Sequence, residues 1–313
     1  MKDMSLLTVG TVAFDDIKTP HGHAERAIGG AATYISLSAA NFTQPIQLVS
    51  VIGNDFPSDV LQDMKSKGIN LDGLQVMKDE KSFFWAGEYS ADLNSRETLS
   101  TELNVLENFD PVLPEDYQSA SFVMLGNLSP QVQARVLDQL SSPRFVAMDT
   151  MNFWMDIAWD ELMEVIPRVD ALLINDEEAR QMSGEHALAK AAQKIMDLGP
   201  TYLVIKKGEN GALLFHKDEQ MFFAPALPLM QVTDPTGAGD TFAGGFMGYL
   251  ARTEDLSYDN MKRAVIYGSA MASFCVEDFS IRKLIAISDG ELDARVKKFV
   301  DLVHFEVKAD EII

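Results

Sequence analysis

The sequence predicts an α/β protein in three layers, with a mainly parallel central sheet and helices on both faces. Three observations lead there. Short β-branched or apolar runs alternate with helical patterns along the chain. The runs are apolar throughout rather than every second residue, as strands buried on both faces are. A hydrophobic content of 47% over 313 residues is enough for a sizeable core.

Strands are expected at 6–10, 46–52, 122–125, 145–148, 171–174, 202–205 and 212–215, and helices near 30–41, 56–67, 130–140, 186–198, 236–251, 258–275 and 289–304. Residues 11–28 and 75–105 break this rhythm. The second stretch holds Phe83-Phe84-Trp85-Ala86-Gly87-Glu88-Tyr89, and three consecutive aromatics call for something to cover. Both stretches are expected to form a small β-sheet lid over the carboxyl edge of the main sheet, with long surface loops as the plainer alternative. No repeat, low-complexity tract or Pro/Gly/Ser linker divides the chain, so a single domain over 1–313 is expected.

Twenty-six basic residues against 47 acidic ones leave a net charge of −21. Such a surface repels nucleic acid and anionic lipid, which argues against both as partners. A small anion can still bind where backbone amides, a Lys and a divalent cation make the site locally positive. No apolar run reaches the roughly 18 residues of a membrane span. The apolar start at Leu6-Leu7-Thr8-Val9 is too short for a signal-peptide core, and Cys275 is the only cysteine. A cytoplasmic location is expected.

The sharpest motif runs from Asp234 to Phe246, Asp-Pro-Thr-Gly-Ala-Gly-Asp-Thr-Phe-Ala-Gly-Gly-Phe. Pro235 and the small residues make a tight turn, and the apolar run after Asp240 opens a buried helix. Gly237, Ala238 and Gly239 leave backbone N–H groups uncovered at the positive end of that helix, which suits charge developing on a transferring phosphoryl group. Asp240, in the first turn, is placed to take a proton from a substrate hydroxyl. An Asp-capped helix after a glycine turn is the bland alternative. There is no Gly-x-x-x-x-Gly-Lys-Ser/Thr loop, and Phe242 stands where a dinucleotide fingerprint needs a small residue, which counts against an oxidoreductase. The intact Asp240 and glycine turn count against a non-catalytic binding protein.

This segment resembles the C-terminal signature of the ribokinase-like (PfkB) carbohydrate kinases at every specified position. Further matches follow in order along nearly the whole chain. Asp15, five residues after Gly10, resembles the family's substrate-binding Asp, and Gly29-Gly30 its hinge between lid and body. Asn175-Asp176-Glu177-Glu178 is similar to its Asn-x-x-Glu, associated with Mg²⁺ and phosphate. Lys207-Gly208-Glu209-Asn210-Gly211 is similar to its nucleotide-binding turn, and the helix with Ser269 and Ser273 to the one bordering adenine. The resemblance implies a ribokinase-like fold with ATP and Mg²⁺ as cofactors and a sugar or nucleoside as acceptor. It places Mg²⁺ at Glu178 through water. Asp234 and Thr236 resemble positions that bind a monovalent cation in some relatives, making K⁺ a candidate, though a turn-capping Asp fits equally. Lids in such proteins can pair, so a homodimer through the lid is a further expectation.

Two positions depart from the pattern. Tyr34 replaces the Asn that meets a sugar hydroxyl, and should narrow the sugar site against ribose. Lys206-Lys207 replaces smaller or apolar residues before the glycine turn. His21 and His23 have metal-ligand spacing but a solvated loop context, and Trp154 and Trp159 are expected to pack.

Overall fold

The computed structural model describes residues 5–304. Thirteen strands are formed: β1 (Leu6–Val9), β2 (Ala13–Thr19), β3 (Gly22–Gly29), β4 (Ile46–Gly53), β5 (Ile69–Met77), β6 (Phe84–Tyr89), β7 (Arg96–Glu102), β8 (Phe122–Leu125), β9 (Phe145–Met148), β10 (Ala171–Asn175), β11 (Tyr202–Lys206), β12 (Ala212–His216) and β13 (Gln220–Ala224). The helices are α1 (Ala31–Ala39), α2 (Ser58–Ser66), α3 (Pro130–Gln139), α4 (Asn152–Ile157), α5 (Trp159–Val165), α6 (Asp176–Ser183), α7 (Leu188–Met196), α8 (Ala238–Thr253), α9 (Tyr258–Cys275), α10 (Arg282–Ala286) and α11 (Asp289–Val303).

Nine strands form one sheet in the order β13-β12-β11-β10-β9-β8-β1-β4-β5. From β5 to β11 the pairs are parallel, and only the β11–β12 and β12–β13 pairs are antiparallel. The apolar strands fill both sides of the sheet. Leu6 joins a core with α1, α8 and α9, while Leu7 and Val9 join a second core with α3, α5 and α7. Leu173 and its neighbours Leu172 and Ile174 divide in the same way. Adjacent residues of one strand thus feed opposite layers, as the two-residue period demands.

All seven expected strands and helices form. The sequence reading passed over β5, an edge strand with polar residues at Asn70 and Asp72, and over β13 at the opposite edge. Residues 75–77, expected in the lid, lie on β5 of the large sheet.

The remaining four strands form a separate sheet, β3-β2-β6-β7, drawn from 13–29 and 84–102. Gly29 ends β3 and Gly30 caps α1 with φ +94, a conformation open to glycine. A Cβ on Gly30 would stand 2.5 Å from Thr11 O. This small sheet touches the body through Thr19 Oγ1, which donates to Thr233 O at 3.0 Å, and through the Arg26–Asp55 ion pair at 2.7 Å.

Helices α1 and α8 pack at close range. A Cβ on Gly244 would lie 2.3 Å from Ile35 O, and one on Gly248 2.8 Å from Ala39 Cα. Ser38 Oγ donates to Thr241 O at 2.7 Å. The glycines therefore let the two backbones meet and set the head of α8 beside the first turn of α1.

Candidate active site

The turn before α8 is built by its own side chains. Asp234 Oδ1 accepts from Thr236 N at 2.9 Å, and Gly237 takes a left-handed φ of 75 as the helix cap. The first helical bond runs from Thr241 N to Gly237 O at 2.8 Å. Ala238 N donates back to Pro235 O at 3.2 Å. This amends the expectation of three open amides: the tight turn uses the N–H of Ala238, and those of Gly237 and Gly239 remain.

Asp240 projects from the first turn of α8. Burial pushes its carboxyl up to about 7, Asp149 adds to the rise, and Lys206 and Arg96 oppose it. Lys206 closes β11, and its Nζ meets Asp149 Oδ2 at 2.8 Å, both side chains largely buried. That Nζ stands 3.2 Å from where a Cβ of Gly239 would be, so the ammonium lies over the head of α8. Burial works against the charge of Lys206, but Asp149 and Glu178 outweigh it and raise its pKa. Asp149 itself follows β9, held by Gln133, whose side chain donates to Asp149 O at 3.0 Å.

Asn175 and Glu178 form a reciprocal cap on α6. Asn175 Oδ1 accepts from Glu178 N at 2.8 Å, and Glu178 Oε2 accepts from Asn175 N at 2.7 Å. The Asn-x-x-Glu spacing is thus also that of a capping box. Burial first, then the charge of Asp149, pushes Glu178 up to about 7. Among the described residues no group of three or more His, Cys, Asp or Glu side chains is close enough to hold a metal by itself.

Asp15 of β2 is buried against Gly29, where a Cβ would collide with Asp15 Oδ2 at 1.8 Å. Burial, then Asp234 and Asp240, push Asp15 up to about 7. Tyr34 of α1 is fully buried, and its ring fills the space where a Cβ of Gly237 would be, at 2.5 Å. Its hydroxyl has no hydrogen-bond partner among the described residues. Tyr34 therefore floors the glycine turn.

The expected nucleotide residues divide. Gly208 and Gly211 adopt φ +52 and +80 in the turn after β11, and Gly211 has Ala224 O at 2.1 Å from a would-be Cβ, so the glycines are required there. Lys207 points away, with Nζ 5.8 Å from the centre of the Phe223 ring. Lys206 is the lysine that reaches the site. Ser269 is half-buried on α9. Ser273 is taken up elsewhere: Arg295 of α11 donates to its Oγ at 2.9 Å, and that hydroxyl donates to Ala270 O. It faces α11 and is not a free partner for a nucleotide. His23 pairs with Asp16 at 2.7 Å, and Trp159 is 40% exposed rather than packed.

The model of the pfkB family of carbohydrate kinases matches residues 3–285. The chain belongs to that family. The kinase is 29% identical over 261 residues to a cytidine kinase of Thermococcus kodakarensis, covering 81% of this chain and 91% of that protein. It is 26% identical over 308 residues to a nucleoside kinase of Methanothermobacter thermautotrophicus, covering 88% and 91%. Among solved structures, the nucleoside kinase of Methanocaldococcus jannaschii superposes with a TM-score of 0.76 at 20% identity, over 94% of this chain and 98% of that one. The ribokinase-like fold and membership of this kinase family are thereby shown. Among the described residues, no helix is long and apolar enough to cross a membrane.

Four more residues surround the candidate site: Asp149 and Arg96 were not anticipated from the sequence, Lys206 stood out only as a departure from the family pattern, and Tyr89 was one of the aromatics expected to face the pocket or a second lid. Lys206 and Asp149 have been described. Tyr89 accepts a hydrogen bond from Thr236 Oγ1 at 3.1 Å and so joins the small sheet to the glycine turn. Arg96, its partner in register on β7, depresses the acidity shifts of Asp15, Glu178 and Asp240 together. Their signals differ: a charged residue at the end of an apolar strand marks Asp149 and Lys206, the aromatic run marks Tyr89, and nothing local marks Arg96.

Proposed function

We propose that the protein transfers the γ-phosphoryl group of ATP to a hydroxyl of a sugar or nucleoside, with Asp240 as general base. The observation that carries this is the convergence of Asp240, the Gly237 and Gly239 amides and the Lys206 ammonium at the head of α8. The substrate hydroxyl, held by Asp15, gives its proton to Asp240 as its oxygen bonds to phosphorus, and the bond from phosphorus to the oxygen of ADP breaks. Negative charge on the transferring group is met by the two amides, the helix end and Lys206. Asn175, Gly208, Gly211 and Ser269 border the nucleotide.

The residues fit both cations. Mg²⁺ keeps most of its waters and needs few direct ligands. Glu178, whose second oxygen is not used by the cap, can hold it through water, where it would neutralise phosphate charge. Asp234 Oδ2 is buried with no hydrogen-bond partner among the described residues, which suits K⁺ as well as it suits a bare turn. The whole chain is read as one domain, with the small sheet as a lid hinged at Gly29-Gly30 and a cytoplasmic setting. Strand β7, exposed along its length, can meet the lid of a second copy.

Asp240→Asn tests this reading. It should keep the fold and ATP binding but lose roughly 10²- to 10⁴-fold in turnover, the usual share of general-base action. A folded variant, by circular dichroism, with more than about a third of wild-type turnover would remove Asp240 from this role.

A further inference from the structure

The lid sheet sorts its side chains onto two faces. Parallel pairing sets Asp15 of β2 beside Trp85 of β6, and Tyr89 lies on the same face of β6. That face is fixed as the inner one, because Tyr89 reaches Thr236 and Asp15 lies against Gly29 and near Asp240. Phe14 and Phe84, the neighbouring pair in register, face the other way and help line a separate hollow with Asp55 and Lys81. An indole thus stands next to the acid proposed to hold the acceptor.

The ring is held in a particular attitude. A Cβ on Gly87 would lie 2.3 Å from the indole Cη2 and 2.4 Å from Cζ2, so the ring covers the bare backbone of Gly87. Trp85 Nε1 donates to Thr98 Oγ1 at 3.3 Å, and the Arg96 guanidinium stands 5.5 Å from the ring centre. Trp85 is only half-buried. A large, flat, partly exposed aromatic pinned beside an acid suits a ligand with a planar ring attached to a hydroxylated one. A free sugar has hydroxyls for Asp15 and nothing planar for Trp85.

We propose that Trp85 is the platform for the base of a nucleoside acceptor, stacking on it while Asp15 holds the ribose hydroxyls. This rests on the kinase reading above and narrows its acceptor. Neighbouring strands lie about 4.8 Å apart, a spacing that lets one small molecule touch both side chains. Stacking tolerates either a purine or a pyrimidine, because every base has a π face.

The test uses the intact protein with cytidine, inosine and ribose as probes. Trp85→Ala should lower kcat/KM for cytidine and inosine relative to ribose by roughly 5- to 150-fold, the span of one stacked base. Trp85→Phe, which keeps a ring, should recover most of that loss. Cytidine should quench tryptophan fluorescence in the wild type and not in Trp85→Phe, where Trp154 and Trp159 remain. Equal losses on nucleosides and ribose in Trp85→Ala, or a quench that persists in Trp85→Phe, would overturn the proposal. Cytidine quenching through Trp85 without ATP-dependent turnover on any probe would keep the platform and sink the kinase reading alone.

Discussion

Single side chains carry the chemistry proposed here, and the two lysines after β11 show how sharply position matters. Lys206 enters a buried ion pair with Asp149 over Gly239, while Lys207 lies near Phe223. Lys206→Met should therefore cut turnover at least tenfold, a cost of about 1.4 kcal/mol in transition-state stabilisation, and Lys207→Met should change it far less. Steady-state kinetics on both variants decides this, and equal effects would contradict the geometry. The acids predict a pH dependence of definite sign. Asp15 and Asp240 have folded pKa values of about 7, far above their ordinary value. Between about pH 4 and 7 the native state then binds more protons than the unfolded one, so stability falls as pH rises through that window. The melting temperature of the ligand-free protein should climb from pH 8 to pH 5.5, and less steeply in Asp240→Asn. Turnover should move the opposite way, falling below about pH 7 as the base takes up its proton.

At the scale of elements, the site depends on how closely α8 can approach α1. The contact of Gly244 with Ile35 O is one of backbone with backbone, which no rotamer change relieves. Gly244→Val should destabilise the protein by about 1–3 kcal/mol through overpacking and should lower activity as well, because α8 carries Asp240. Gly290, near the start of α11, has open space around its would-be Cβ. Gly290→Ala should be neutral or stabilising by up to about 1 kcal/mol, as expected of Gly to Ala in a helix. Thermal melts of the two variants check the contrast, and similar losses in both would mean that helix propensity rather than packing is being measured.

For the whole molecule, the question is what the small sheet does. It meets the body at Gly30 and through the Arg26–Asp55 pair and the Thr19–Thr233, Ser280–Ile28 and Tyr89–Thr236 hydrogen bonds. Transfer to a small hydroxyl requires water to be kept out, or ATP is hydrolysed instead. Hydrogen exchange across 13–29 and 84–102 should slow when acceptor and nucleotide bind together. Unchanged exchange in both segments would mean that the sheet does not close on the ligand. Ion pairs at this exposed junction contribute little, so closing should depend on the ligand more than on the Arg26–Asp55 pair.

The sequence by itself determined the layers and marked the place proposed for the chemistry. Alternating apolar strands and helices can be buried only as a covered sheet, and the glycine turn before Asp240 is legible because its small residues are local requirements of backbone and anion. What it could not decide was which way side chains point within uniformly apolar elements. The run Tyr202-Leu203-Val204-Ile205 has no polar alternation to show its faces, so only the register of β11 against β10 selects Lys206 over Lys207. Helix α9 carries small and apolar residues on several sides, and only the arrival of Arg295 from α11 shows that Ser273 is engaged there. Trp85, Tyr89 and Arg96 come from the β6–β7 hairpin, and Asp149 and Lys206 from strand ends further along the chain. Their meeting is a property of strand pairing, which follows from cores and edges formed by the whole fold.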